Sequence, residues 1–335
     1  MSILLKKYLK TFLITFLIFF QILYFSCKNT SRDVLTNVTG KPGEIIVVID
    51  KNTWNSEPGE ELRNILTSIQ PALPQEEPIF RIFHISPSSF SDFFQTNRNI
   101  LNIKSDNPKD SIAIQTKNDV WAKSQAYMEI SAPNKTVLTE LIKSNKYKIL
   151  DFFVSAERKR LQDTYTTFQE KGINKKLSDH HIRLTIPKGF KLDADTIGFV
   201  RITSETQNTS QGIFIWEYPY KDTSTFTAKN ILHKRDYVLK RFVPGPLPET
   251  WMTTEHDYPP VMKEFSLNNE WVYELRGLWK MQNDFMGGPF VCLSFVDKKR
   301  NKVITLEGYV YAPKSDKLSY IRQMEAILYS FKLSE

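Results

Sequence analysis

Residues 261–311 read VMKEFSLNNEWVYELRGLWKMQNDFMGGPFVCLSFVDKKRNKVITLEGYVY. Within them, segments 261–267, 270–281, 290–297 and 303–311 are rich in β-branched and aromatic residues. Polar stretches part them, which is the pattern of consecutive strands. Along 270–281 a period of two puts Trp271, Tyr273, Leu275 and Trp279 on one face, and Glu274 with Arg276, an ion pair, on the other. The polar stretch 297–302 turns the last hairpin. Upstream, Ile182, Leu184 and Ile186 alternate along 181–186, and segments 196–203 and 212–218 add strands. Residues 226–242 carry Ile231, Leu232, Val238 and Leu239 at helical spacing, and Pro244, Pro246 and Pro248 then make a stiff crossing. Downstream, Ile321, Met324, Ile327 and Leu328 mark a closing helix over 318–331. This order predicts a mostly antiparallel sheet with two helices on one face.

The first half alternates strands and helices. EIIVVID at 44–50 is a short apolar run typical of a buried strand. Pro58 opens a helix bearing Leu62, Ile65 and Leu66. Strands are expected over 79–85 and 126–131, and a hairpin over 99–103 and 111–116 about the turn Asp106-Asn107-Pro108. Pro133-Asn134 starts a helix with Val137, Leu138, Leu141 and Ile142. A long amphipathic stretch follows, carrying Ile149, Phe152, Phe153, Leu161 and Tyr165, with Gly172 as its expected stop. The run Glu157-Arg158-Lys159-Arg160 reads as its solvated face, with contact to anionic lipid as the alternative. The fold class is α+β: two α/β-type layered domains, an N-terminal mixed sheet with helices and a C-terminal mostly antiparallel sheet.

The beginning of the chain sets the expected address. Lys6, Lys7 and Lys10 precede TFLITFLIFFQILYF at 11–25, whose length suits the apolar core of a secretion signal. Ser26-Cys27 then resembles the cleavage box of bacterial lipoproteins, in which the cysteine becomes acylated. The expected parts are a signal peptide over 1–26, lipidated Cys27 with a polar tether over 27–42, and domains over 43–172 and 179–335. The expected location is the cell envelope, facing the periplasm and held to the membrane by lipid. A bitopic protein with an uncleaved helix is the alternative. Cys292, the second of two cysteines, lies in an apolar run and reads as a buried, inert thiol.

Composition narrows the function. With 41% hydrophobic and 24% charged residues over 335 positions, the chain is globular rather than disordered. Its formal charge is +8, and three of those charges sit in the leader, so the remainder is too weak to argue for nucleic acid. Gly-x-Ser-x-Gly, a phosphate loop, Cys-x-x-Cys and His-Glu-x-x-His are all absent, so no reaction, metal or cofactor is named.

One block is specific: Arg276-Gly277-Leu278-Trp279 running to Gly287-Gly288-Pro289-Phe290. With Gly43-Glu44 and Arg98-Asn99-Ile100-Leu101, it resembles an uncharacterised family of Bacteroidota lipoproteins, domain of unknown function 4837, over nearly all of the mature chain. The resemblance implies an envelope address and no activity. Read physically, the block is an aromatic strand followed by a demanding turn. Gly287 and Gly288 are expected to permit positive φ there. As a recognition loop it would comprise Arg276, Asn283, Asp284, Phe285, Met286, Gly287 and Gly288, with the polar pair bonding a partner and Phe285 or Met286 filling its pocket. The weak catalytic candidates are Glu255, His256 and Asp257, three adjacent groups able to act as base or ligand. Asp179-His180-His181 is not expected to hold a metal, because adjacent strand residues point apart. The expected role is a binding or scaffold module for a protein or envelope component; a hydrolase acting on envelope material through Asp284, Glu255 and His256 is the alternative.

Overall fold

EIIVV at 44–48 is buried on both sides because it forms the middle of a mostly parallel sheet, where each face meets a covering layer. The computed structural model describes residues 35–105 and 111–334. The leader, Cys27 and the turn Asp106-Asn107-Pro108 lie outside the described residues. In the first half, β1 (Glu44–Val48), β2 (Arg81–Ile85), β3 (Asn99–Lys104), β4 (Ala113–Asn118) and β5 (Ala126–Ser131) assemble in the order β2-β1-β3-β5-β4. Only β4 runs antiparallel. Helices α1 (Glu57–Leu66), α2 (Lys135–Ser144) and α3 (Lys146–Thr167) share one apolar layer with Ile45, Val47, Leu101 and Met128. Asn134 caps α2, its side chain accepting from Val137 N at 3.0 Å. The expected hairpin does not form. β3 and β4 both pair with β5, which inserts between them, parallel to one and antiparallel to the other.

α3 ends at Thr167, and Gly172 lies inside the next helix, α4 (Lys171–Leu177), whose Ile173 and Leu177 join the core of the second sheet. That sheet contains β6 (Lys191–Thr196), β7 (Phe199–Glu205), β8 (Ser210–Pro219), β9 (Met252–Thr254), β10 (Val261–Leu267), β11 (Glu270–Met281), β12 (Gly287–Asp297) and β13 (Lys302–Tyr311). It is antiparallel throughout and curved as a half-barrel, in the order β11-β12-β13-β8-β7-β6. β10 pairs with the first part of β11 and β9 with its last three residues, so both lie along one edge.

The α+β reading holds, but the two helices of this half divide between the faces. On β13, Leu306 and Gly308 face α6 (Leu318–Leu328): a Cβ at Gly308 would lie 2.7 Å from Met324 Cβ. Glu307 and Tyr309, pointing the other way, face α5 (Ala228–Phe242). The reason is the near-continuous apolar character of β12 and β13, which are buried on both sides and need a layer on each.

The run at 157–160 is neither solvated nor set for lipid. Glu157 is buried and takes Arg98 Nη2 at 2.8 Å and Asn99 Nδ2 at 2.7 Å. Arg158 stacks over the Tyr329 ring at 3.8 Å and lies 3.9 Å from Glu325 of α6. Lys159 alone of the four is exposed. Gln162 Nε2 donates to the Ala326 carbonyl at 3.1 Å, so α3 closes the seam between the two sheets. No helix among the described residues is long and apolar enough to cross a membrane.

Candidate functional site

The face covered by α5 is not covered to its end. Two cross-strand rows run beyond the helix there. One is Gly277, Phe290, Tyr309, Gly212 and Thr203; the next passes through the facing pair Trp279 and Gly288 and the facing pair Tyr311 and Ser210. Each glycine in these rows lies directly across from a large ring, and the rings lean into the space the glycines leave. A Cβ at Gly212 would meet the Tyr309 ring at 2.1 Å. The Trp279 indole crosses Gly288 to donate to the Val310 carbonyl at 3.2 Å. Trp279 and Tyr309 meet edge to face with centroids 5.7 Å apart, and Tyr309 stacks on Phe214 at 5.0 Å.

Trp279, Tyr309 and Tyr311 form the floor of a cleft of about 880 Å³. Met252, Met281 and Met286 extend the floor, and Val243–Pro246 of the proline crossing forms one wall. Opposite lie the β7–β8 hairpin and β6, with Lys191, Asp193 and Arg201 on the rim. Thr203 donates its hydroxyl to Asp193. Arg201 Nε lies 3.9 Å from Asp193 Oδ2, beyond hydrogen-bond reach, and has no other partner among the described residues. Burial pushes the Tyr309 hydroxyl up to about 12, so it stays protonated; Ser210 Oγ lies 3.3 Å away. The arrangement offers adaptable sulfur, flat rings and a rim of both signs, which is the composition of a binding site.

Of the expected recognition residues, the fold brings only Met286 to this cleft. Arg276 points to the opposite face, where its Nε donates to Glu274 Oε1 at 2.7 Å and its Nη1 to Glu325. Asn283 carries the positive φ of the turn, at 59°, and its side chain donates to the Glu249 carbonyl at 3.3 Å. Asp284 accepts from Phe285 N at 2.6 Å and Phe285 is fully exposed. Gly287 and Gly288 are strand residues, and they are small for proximity rather than for φ. A Cβ would lie 2.9 Å from the Trp279 carbonyl oxygen at Gly287, and 2.1 Å from the Val310 carbonyl oxygen at Gly288. The residues missed by sequence reading, Trp279, Tyr309 and Tyr311, had a visible signal: strand-interior glycines directly across from rings.

The catalytic candidates do not line the cleft. Glu255 pairs with Lys280 Nζ at 3.2 Å and accepts from Asp257 N at 3.3 Å. Asp257 is exposed. His256, 61% exposed by side chain, bonds Asp236 Oδ2 through Nε2 at 2.9 Å. Asp236 Oδ1 in turn accepts from the Thr254 hydroxyl at 2.7 Å, and that hydroxyl accepts from Arg235 Nη1 at 2.9 Å. Thr254 is buried and its proton goes to the carboxylate rather than to the imidazole, so this chain positions α5 against β9 and activates no nucleophile. His180 bonds Asp195 at 2.7 Å, and His181 sits in the left-handed region at the end of a turn. No group of three or more possible metal ligands occurs among the described residues. Burial and then the Glu307 charge push the Cys292 thiol well up, which removes it as a nucleophile.

No curated protein matches the chain. Among solved structures, LpqN of Mycobacterium tuberculosis, described as involved in cell envelope biogenesis, is 14% identical. The match covers 46% of this chain and 83% of that one, with a TM-score of 0.29, too low to carry an argument. The resemblance to domain of unknown function 4837, expected over nearly all of the chain beyond the leader, extends over its second half alone. Residues 169–330 match the family model described as Domain of unknown function (DUF4837), and residues 38–166 match that described as Domain of unknown function (DUF8532), so the chain joins two domains of unknown function.

Proposed function

We propose that this protein is a binding module of the cell envelope, carried at the end of a lipid tether on Cys27, and that the cleft over Trp279, Tyr309 and Tyr311 is its binding site. The cleft itself carries the reading: its volume lies within the range that holds small ligands, its floor and the proline wall are apolar, and the opposite wall and rim are polar. The lysine-flanked apolar leader ending in Ser26-Cys27 supports the address, as does the family resemblance to envelope lipoproteins. The occupant is an envelope component, or a partner's side chain, that offers an apolar surface with polar edges. The loop Asn283–Met286 borders the cleft through Met286 and presents Phe285 outward as a second contact. Two measurements test this. Mass spectrometry of the native N-terminus must show acylated Cys27 rather than intact Met1. The native protein, incubated with solubilised envelope and analysed by native mass spectrometry, must carry a bound species that Tyr311→Ala or Met286→Ala reduces by about tenfold. Equal retention by both variants, in protein shown to be folded, overturns the assignment of the cleft.

A further inference from the structure

A second cavity, of about 540 Å³, lies at the seam between the two sheets, and its chemistry differs from that of the cleft. Its lining includes four arginines: Arg81 of β2, Arg98 just before β3, Arg160 of α3 and Arg322 of α6. The carboxylates beside them do not balance these charges one for one. Glu157 is shared: Arg98 Nη2 donates to Oε2 at 2.8 Å, while Arg160 Nη1 lies 3.1 Å from Oε1, which already accepts from Asn99 Nδ2. The two arginine side chains are only 12% and 10% exposed. Glu77 is occupied at the N-terminus of α6, accepting from Lys317 N at 2.7 Å and Leu318 N at 2.9 Å. Asp316 is exposed at the edge.

Arg322 has no carboxylate within ion-pair distance among the described residues. Its Nη2 donates to the Ile79 carbonyl at 2.5 Å, and its guanidinium stacks over Phe80 at 5.4 Å. Gly43, at φ +79°, leaves room for its Nη1, which a Cβ would approach to 3.0 Å. Arg98 Nε and Arg160 Nη1 also find no hydrogen-bond partner among the described residues. Burial, and then the like charge of Arg98 working against Glu157, lowers Arg160 to about 10. A partly enclosed site that gathers more guanidinium groups than carboxylates is costly to fold and favourable to an incoming anion. Pro78, Ile79, Leu161 and Leu318 give the wall an apolar part, and Thr164, Ser319 and Gln323 add uncharged polar groups.

We propose that this seam cavity binds a small amphiphilic anion, its carboxylate or phosphate held by Arg98, Arg160 and Arg322 and its apolar body lying along Pro78, Leu161 and Leu318. This site is separate from the cleft and does not depend on the reading given to it. The test is calorimetric titration of the full chain in a neutral detergent with four probes: inorganic phosphate, hexanoate, hexyl phosphate and hexanol. Hexanoate or hexyl phosphate is expected to bind one to one, about tenfold tighter than inorganic phosphate. The tighter of the two identifies the acid group. Hexanol is expected not to bind, and added salt weakens the anion. Arg322→Met is expected to lose about tenfold in affinity while the protein keeps or gains stability in urea, because an unpaired buried charge has been removed. Ser319→Glu, at an exposed position on the rim, is expected to weaken binding by placing a carboxylate beside the arginines. Equal binding of hexanol and hexanoate overturns the proposal, and so does wild-type affinity in both variants. Marked destabilisation of folded Arg322→Met without loss of affinity assigns the arginine to structure and overturns it as well.

Discussion

Replacing Arg276 by Met isolates the energetics of the charge cluster on the α6 face. Glu274, Arg276 and Glu325 are all buried there, Tyr329 donates its hydroxyl to Glu274, and half-exposed Lys263 lies 3.4 Å from Glu274. Burial alone would raise the Glu274 carboxyl; the Arg276 and Lys263 charges, with the hydrogen bonds from Arg276 and Tyr329, hold it down to about 2. Against an ordinary value of 4.5, that depression is on the order of 3 kcal/mol. Because the folded value lies below the unfolded one, the contribution is complete above about pH 5 and is lost as pH falls toward 2. Arg276→Met leaves two buried carboxylates without their shared partner, Glu274 with only Lys263 at 3.4 Å and Glu325 with only Arg158 at 3.9 Å, and is expected to cost about 3–5 kcal/mol at pH 7. It also changes the sign of the pH response. With the arginine gone, burial prevails and lifts Glu274 above its unfolded value, so the variant recovers stability as pH falls from 7 toward 5, where the wild type is flat. Urea unfolding followed by circular dichroism at pH 7, 6 and 5 reads both effects. A loss under about 1 kcal/mol, or a wild-type pH slope in the variant, would refute the reasoning.

Gly288→Ala is expected to destabilise by about 2–4 kcal/mol and to shift tryptophan emission, because the new methyl would lie 2.1 Å from the Val310 carbonyl oxygen and beside the Trp279 indole nitrogen. Urea denaturation checks the first effect and fluorescence the second; a cost below about 0.5 kcal/mol would show that the strands do not approach so closely. Cys292, fully buried with its thiol pushed up, is expected to resist maleimide in the folded protein at pH 8 and to label only as urea unfolds the sheet. Rapid labelling in native buffer would contradict that placement.

The long elements of the second half were legible because their pattern is strong. Val261–Leu267 and Glu270–Met281 fall where alternation and turn residues put them, and the Glu274–Arg276 pair follows from a period of two. What escaped was relational. The hairpin about Asp106-Asn107-Pro108 failed because a turn signal marks a reversal of the chain, whereas β5 supplies a neighbour to both strands. The run at 157–160 looked solvated because charge stands for exposure in a sequence. Here the partners that make burial tolerable, Asn99 and Glu325, lie 58 or more residues away from the residues they meet. The Gly287-Gly288 pair was read as a turn by its glycines, although Asn283 bears the positive φ and the glycines serve the cleft floor. The cleft itself needed three strands in register before its rings became neighbours.

The two buried charge clusters explain why a sheet apolar on both sides accepts each helix on one face only. Glu307 points to the α5 face and is gripped by Arg235 through two bonds of 2.8 Å, while Arg235 stacks on Phe290 at 3.9 Å. Arg276 points to the α6 face and meets Glu325. Exchanging the helices would set Glu325 against Glu307 and Arg235 against Arg276, like charges in a dry interior, where removing even one partner costs about 3–5 kcal/mol. Apart from the close approach of Met324 at Gly308, apolar packing discriminates less, since Leu306, Leu293 and Val291 on one side and Leu275, Phe290 and Cys292 on the other are all suited to leucines and isoleucines. The choice matters for the cleft. α5 runs directly into Val243–Pro246, the wall that faces the β7–β8 hairpin, and Phe290, fixed under Arg235, fills the space above Gly277 in the row that continues through Tyr309 and Gly212. The same ion pair that selects the face of α5 therefore anchors the helix that leads into one wall of the site.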